Sequence, residues 1–179
     1  MLDIAIICPL HGPVLKENLS YYINLYNKWS TYQPEEEGVV IAYASVYGNT
    51  KAAAIALAEE LRPKTKVTLH DLTRCDMAMA VADAFRYSKL VLASVTYNAD
   101  VFPPMREFIN NLKERNFSNR KLGIIENGSW APMAAKVIRS MFENSKNLSF
   151  AENSVKILSG LNETNKNEIK TLAEELINN

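Results

Sequence analysis

Val39-Val40-Ile41-Ala42-Tyr43-Ala44-Ser45-Val46-Tyr47-Gly48-Asn49-Thr50 decides how the rest of the chain is read. Its first half is a short run of apolar, strand-forming residues, the pattern of a strand buried on both faces in a parallel sheet. At Ser45 the run breaks into hydroxyls, a glycine and an asparagine. Lys51-Ala52-Ala53-Ala54-Ile55-Ala56-Leu57-Ala58-Glu59-Glu60-Leu61 follows, an alanine-rich stretch of high helix propensity. A strand that turns through a small polar loop into a helix N-terminus makes a site for a phosphate. The free N–H groups of the first turn and the positive end of the helix dipole point at the anion. Ser45 and Thr50 add hydroxyls, and Gly48 lets the backbone come close. The same pattern also suits a plain serine-capped helix after a strand.

The loop is neither G-x-x-x-x-G-K-[ST] nor G-x-G-x-x-G, so it fits neither an ATPase nor a dinucleotide site. The order Ser45-Val46-Tyr47-Gly48-Asn49-Thr50 resembles instead the FMN-phosphate loop of flavodoxin-like proteins, [Ser/Thr]-x-x-Gly-x-Thr after a strand. That resemblance implies a monophosphate wrapped with little use of Lys or Arg, and no basic residue lies within Ser45–Thr50.

The 179 residues exceed a typical single domain of about 100–150 and suffice for a sizeable core with a small appendage. Twenty basic and twenty acidic residues cancel, which removes any whole-chain argument for nucleic acid or an anionic membrane. Flavodoxins proper are usually strongly acidic, and this chain departs from them. Cys8 and Cys75 form neither a disulfide framework nor a zinc pattern, so buried or inert thiols in a reducing compartment are expected. No apolar run approaches the ~18 residues of a membrane span. Met1-Leu2-Asp3 lacks the basic start of a secretory signal. A cytoplasmic protein is the expectation.

Residues 1–37 differ from the remainder. Ile4-Ala5-Ile6-Ile7-Cys8 reads as a short strand ended by Pro9. After His11-Gly12-Pro13, Leu15, Leu19, Tyr22, Ile23, Tyr26 and Trp29 share one face of a predicted, unusually aromatic helix. Gln33-Pro34-Glu35-Glu36-Glu37-Gly38 is a polar breaker and marks the boundary with a second unit, 38–179. A strand and a helix of this size cannot bury their own apolar faces, so they need the next domain, another chain or something else to pack on. Self-association into a homodimer through this helix is one expected consequence of an open face. His11 stands alone, and a lone histidine is more often structural than a ligand. With His70 as its only companion in the chain, it makes no convincing metal site.

Beyond the phosphate loop, strands and helices alternate. Residues 66–72 read as a strand, Met77–Tyr87 as a helix, Ser88–Ser94 as a buried strand and Met105–Arg115 as a helix opened by Pro103-Pro104. Lys121–Glu126 is the next strand, Pro132–Glu143 a helix, Val155–Leu158 a last strand and Glu168–Ile177 an amphipathic final helix. Five such units predict an α/β, flavodoxin-like, doubly wound five-stranded parallel sheet of order 2-1-3-4-5, carrying an N-terminal strand–helix appendage. Its ligand crevice lies at the carboxyl ends of the strands.

Two further loops fall at those ends. Ser94-Val95-Thr96-Tyr97-Asn98-Ala99-Asp100-Val101-Phe102-Pro103-Pro104 and Glu126-Asn127-Gly128-Ser129-Trp130-Ala131-Pro132 each set one aromatic among small polar residues. A planar, partly apolar tricycle needs aromatic faces to stack on and backbone groups for its heteroatom edge. These loops resemble the second and third flavin loops of the flavodoxin-like domain in flavodiiron proteins, also called A-type flavoproteins. Cys8-Pro9-Leu10-His11-Gly12 and the aromatic helix are similar to the end of the metallo-β-lactamase-like domain that precedes it there, including the last iron-ligand histidine. The bulk of that domain, with its His-x-[Glu/Asp]-x-Asp ligands, is not in this sequence, and no metal site is expected here.

The resemblance implies an FMN-binding electron-transfer domain. It would relay electrons from rubredoxin or a flavin/NADH reductase to a di-iron O2/NO reductase centre outside this chain. It implies phosphate contacts from Ser45, Val46 (through its backbone), Tyr47, Gly48, Asn49 and Thr50. The ring falls to Thr96, Tyr97, Asn98, Asn127, Gly128, Ser129 and Trp130. Flavodoxins often carry Gly near the Asn98 position, and Asn is the residue that best replaces Gly at positive φ. Two other readings share the fold: a flavodoxin-like NAD(P)H:quinone reductase, and a flavin-free assembly domain acting through the N-terminal helix.

Overall fold

The computed structural model describes residues 4–178. Thirteen elements follow one another: α1 (Leu19–Ser30), β1 (Glu36–Ala44), α2 (Asn49–Leu61), β2 (Val67–Asp71), α3 (Met77–Arg86), β3 (Tyr87–Tyr97), β4 (Asp100–Val101), α4 (Pro103–Glu114), β5 (Arg120–Asn127), α5 (Ala134–Met141), β6 (Leu148–Phe150), β7 (Val155–Ile157) and α6 (Glu163–Ile177).

The sheet order is β2-β1-β3-β5-β6, all parallel, with β7 also parallel to β5. β6 pairs with Arg120–Leu122 and β7 with Ile125–Asn127, so one edge position is filled by two short strands in succession. Counted by position, this is the expected 2-1-3-4-5 order of a flavodoxin-like, doubly wound sheet. The sequence reading found β7 but not β6. Three residues, Leu148-Ser149-Phe150, are too short to show a period, and Ala151 to Ser154 interrupt them. The two-residue β4, antiparallel to the end of β3, was hidden inside the second loop for the same reason.

Alternation along β1 splits the core in two. Val40, Ala42 and Ala44 meet Leu90, Leu92, Leu122 and Ile124 under α3, α4 and α5. Val39, Ile41 and Tyr43 meet Val91, Ala93 and Ile125 under α2 and α6. Both faces of β1 are covered, which explains why its sequence runs apolar without alternating. Gly123 lets α6 lie close: a Cβ there would stand 3.1 Å from Val91 Cγ2 and 3.4 Å from Leu172 Cδ1. Asp76 caps α3 by accepting from the Ala78 amide at 2.9 Å, and Asn162 caps α6 by accepting from the Asn165 amide at 2.9 Å.

The N-terminal strand expected over Ile4–Cys8 is a single antiparallel bridge, Ile7 to Leu15. Without a sheet neighbour, Ile4 and Ile6 stay exposed. That bridge also holds Leu15 out of the predicted helix, which starts only at Leu19, after Asn18 in a left-handed conformation (φ 51°). No residue of α1 is buried.

The start of the chain's body is anchored by Arg120, a guanidinium only 3% exposed. Its Nε donates to the Tyr87 carbonyl at 2.7 Å and its Nη1 to the carbonyls of Tyr32 (2.6 Å), Ser118 (3.0 Å) and Asn119 (3.1 Å); Nη2 donates to Phe85. Burial pushes this group down to about 10, so it remains charged at neutral pH. Its hydrogen bonds are all to carbonyls. The loop between α1 and β1 is thereby stapled to the bottom of the sheet.

Candidate flavin site

The crevice lies at the carboxyl ends of β1, β3, β5 and β7, as a sheet whose order reverses between β1 and β3 requires. It is a cavity of about 580 Å³. Its walls include Ser45, Val46, Tyr47, Asn49, Thr50, Thr96, Tyr97, Asn127, Gly128, Ser129 and Trp130 from the three loops singled out by sequence. Val95, Ala99, Ala131, Met133 and Ser159 complete it. No wall residue carries a charge.

At one end, Gly48 caps α2 at φ 89°, a conformation that glycine reaches without strain. The Ser45 hydroxyl accepts from the Gly48 amide at 3.1 Å and tightens the loop. The first intrahelical bond of α2 is from the Ala52 amide to the Gly48 carbonyl. The amides of Asn49, Thr50 and Lys51 therefore have no helical acceptor and stand available to an anion. No acidic residue occupies the first turn. Thr50 is buried at 2% exposure, and Tyr47 lies open at 92%.

The second loop is a hairpin. Tyr97 pairs with Asp100, and the two residues between them, Asn98 (φ 50°) and Ala99 (φ 58°), form a turn with both φ positive, the form that matches strand twist. Asn98 thus adopts the conformation expected of it, but it lines a neighbouring groove with Tyr97, Asp100 and Arg106 rather than the main cavity. Tyr97 is held edge-on against Phe102, ring centroids 5.6 Å apart. Asp100 is ion-paired with Arg106, whose bond to it, followed by the Val101 amide, holds its carboxyl below the usual range against a partial desolvation penalty.

The Thr96 hydroxyl accepts from the amides of Met133 (2.9 Å) and Ala134 (3.2 Å), and Glu126 accepts from Ala135 at 3.0 Å. These bonds cap α5 and tie the second loop to the third. Gly128 fits where a Cβ would be 3.2 Å from Pro132 Cα and 3.3 Å from Thr96 Oγ1. Trp130 then projects free, 97% exposed. Near the end of β1 the buried Tyr43 has its phenol raised above the ordinary range, by burial first and then by the Asp71 carboxylate.

The flavodoxin-domain family model matches residues 40–174. The chain belongs to the flavodoxin domain family. Among curated relatives of this flavodoxin domain, an uncharacterized protein of Methanocaldococcus jannaschii is 27% identical over 97% of the chain and 44% of its own length. An anaerobic nitric oxide reductase flavorubredoxin of Escherichia coli is 25% identical over 73% of the chain and 28% of its own length. The chain therefore spans less than half the length of these relatives. Among solved structures, the rubredoxin oxygen:oxidoreductase of Desulfovibrio gigas superposes with a TM-score of 0.86 at 20% identity, covering 96% of this chain and 43% of that one. The flavodiiron protein of Giardia intestinalis gives 0.84 at 20% identity, with 98% and 45% covered. These likenesses establish the fold, and the chain fits the C-terminal part of a flavodiiron protein.

A flavodoxin domain implies FMN, and the cavity suits it. An uncharged space within the range of small-molecule sites, about 300–1,000 Å³, runs from free helix amides to two accessible aromatic faces. Trp130 in the open is unusual for so large an apolar side chain, and a planar ligand would give it a partner.

Sequence reasoning missed Ser159. Its signal was the Ser159-Gly160 dipeptide directly after a strand whose carboxyl end had to reach the crevice. Elsewhere, His11 and Cys8 are exposed, and among the described residues no cluster of three His, Cys, Asp or Glu could hold a metal. His70 Nε2 lies 2.9 Å from Asp83 Oδ2, an ion pair when protonated.

Proposed function

We propose that this flavodoxin domain binds FMN as an electron relay between a donor (rubredoxin or a flavin/NADH reductase) and a di-iron O2/NO reductase centre outside this chain. The single observation that carries the reading is the shape of one cavity, with α2 amides at one end and exposed Tyr97 and Trp130 at the other. FMN, when bound, supplies the capacity to take up and release electrons. The residues here bind and orient it. Ser45, Gly48, Asn49 and Thr50, with the backbone of Val46 and the ring of Tyr47, would hold the phosphate; Tyr97, Gly128, Ser129 and Trp130 would border the ring, while Asn98 shapes the hairpin from the neighbouring groove. Thr96 and Asn127 reach the cavity too, yet much of their bonding capacity goes to the frame. No charged wall competes with the phosphate.

Residues 1–37 are the tail of a metallo-β-lactamase-like domain in this reading, and 38–179 are the relay. The working compartment is the cytoplasm; no helix among the described residues is long and apolar enough to cross a membrane. The test is a transfer assay. FMN-loaded chain, reduced by rubredoxin and its reductase, is mixed with a flavodiiron protein stripped of flavin, and O2 or NO consumption is followed. Restored consumption supports the relay. Direct NADPH oxidation with a quinone, needing no protein donor, would favour a quinone reductase, and failure to bind FMN would favour an assembly domain.

A further inference from the structure

Ser159, two residues past β7, lines the cavity with its backbone held at φ 77°. The other left-handed positions of the body are mostly asparagines, which tolerate that region; serine gains little there by itself. Two-way bonding with Asn127 overrides the preference. The Ser159 amide donates to Asn127 Oδ1 at 3.3 Å, and Asn127 Nδ2 donates to the Ser159 carbonyl at 3.0 Å. The Ser159 hydroxyl lies 3.0 Å from that of Ser129, and the Gly128 amide donates to the Ile157 carbonyl at 3.0 Å. Asn127 is 5% exposed, so its two bonds to Ser159 are partly buried, whereas the contact between the Ser129 and Ser159 hydroxyls lies at the surface. Four contacts thus join 157–159 to 127–129, the residues immediately before Trp130.

We propose that the loop after β7 is a fourth loop of the flavin site, and that Ser159 is its positioning residue. Its left-handed backbone fixes Asn127–Ser129 so that Trp130 and the Gly128 backbone stand ready for the ring. The inference rests on the flavin reading. It assigns the work to the backbone conformation of Ser159 and only a minor part to its hydroxyl.

Three variants separate these contributions. Ser159→Gly accepts φ 77° and keeps both backbone bonds; FMN affinity, measured by quenching of flavin fluorescence, should stay within about threefold of wild type. Ser159→Val is β-branched and cannot hold that conformation cheaply. Its affinity should fall at least tenfold, with exchange of the Gly128 amide accelerated and Tm lowered by only a few degrees. Ser159→Thr keeps the hydroxyl yet shares the branching; it should fall between, and it decides the matter if the valine variant does not fold. A lowered Tm with FMN affinity unchanged in the branched variants would show a merely structural role and overturn the proposal. A loss in Ser159→Gly equal to that in Ser159→Val would overturn it too, by assigning the effect to the hydroxyl. Wild-type chain that ignores FMN would sink the flavin reading instead, and Gly128 amide exchange would still report whether Ser159 locks the third loop.

Discussion

β1 and α1 are both rich in apolar residues, and they meet opposite fates. Every residue of β1 from Val39 to Ala44 is buried, whereas no residue of α1 is. Tyr21, Tyr26 and Trp29 are 60%, 64% and 47% exposed, and Ile4, Ile6, Leu10 and Val14 ahead of them are exposed as well. The difference is one of partners. β1 has strands on both sides and helices on both faces. α1 is tied to the body chiefly at its C-terminal end: Trp29 Nε1 donates to Glu35 Oε1 at 2.7 Å, Lys28 Nζ to the Glu35 carbonyl at 2.9 Å, and Arg120 holds the Tyr32 carbonyl. Apolar periodicity shows that a face wants covering; it does not say by what.

The largest effect that could break this contrast is in the core. Ile41→Ala should cost about 4 kcal/mol, the usual range for a fully buried isoleucine, read as a lower urea midpoint. Tyr26→Ala in α1 should cost within about 0.5 kcal/mol, as exposed positions do. Equal costs would mean that α1 is packed in solution.

Arg120→Met comes next. Removing the guanidinium leaves the Tyr32, Phe85 and Tyr87 carbonyls without it, at a cost of about 2–3 kcal/mol for buried acceptors left unpaired. Protease cleavage between α1 and β1 should accelerate with it. A variant as stable and as protease-resistant as wild type would remove Arg120 from its place as the joint between the two regions.

The open face of α1 predicts self-association. Sedimentation of the wild-type chain should show a concentration-dependent dimer at tens of micromolar, and Tyr21→Ser/Tyr26→Ser should sediment as a monomer. A wild-type monomer at all concentrations would show that a different partner covers the helix.

The smallest effect concerns acid. Asp100 is held below its ordinary value by Arg106, so the pair's contribution is present above the unfolded-state pKa near 3.8 and lost as pH falls through the lower folded value. Both side chains are about two-fifths exposed, which limits the pair to under about 1 kcal/mol. Asp100→Asn should lower neutral stability by up to about that amount, flatten the acid limb of the stability curve below pH 4 correspondingly, and leave stability at the acid end nearly unchanged.

What was legible in the sequence followed the same division. β1, the Ser45–Thr50 turn and α2 could be read because a buried parallel strand and an alanine-rich helix carry their signals locally. The two other loops could be read because the fold puts strand ends together. β6 and β4 were invisible, since three and two residues hold no period. Ser159 was missed because its φ of 77° is imposed by Asn127, a partner 32 residues away. The strand expected over Ile4–Cys8 failed for want of a neighbour; its residues have strand character, and the described chain offers only Leu15.

The central claim is that the cavity between the α2 N-terminus and Trp130 holds FMN. Titrating FMN with the purified chain, while following flavin fluorescence and the Trp130 emission, tests it most directly. Saturable quenching of both at one equivalent, lost in Trp130→Ala for the indole signal and weakened in Thr50→Val for the flavin, is the predicted result. Flavin fluorescence unchanged at micromolar protein would contradict the account and leave a flavodoxin fold without its cofactor.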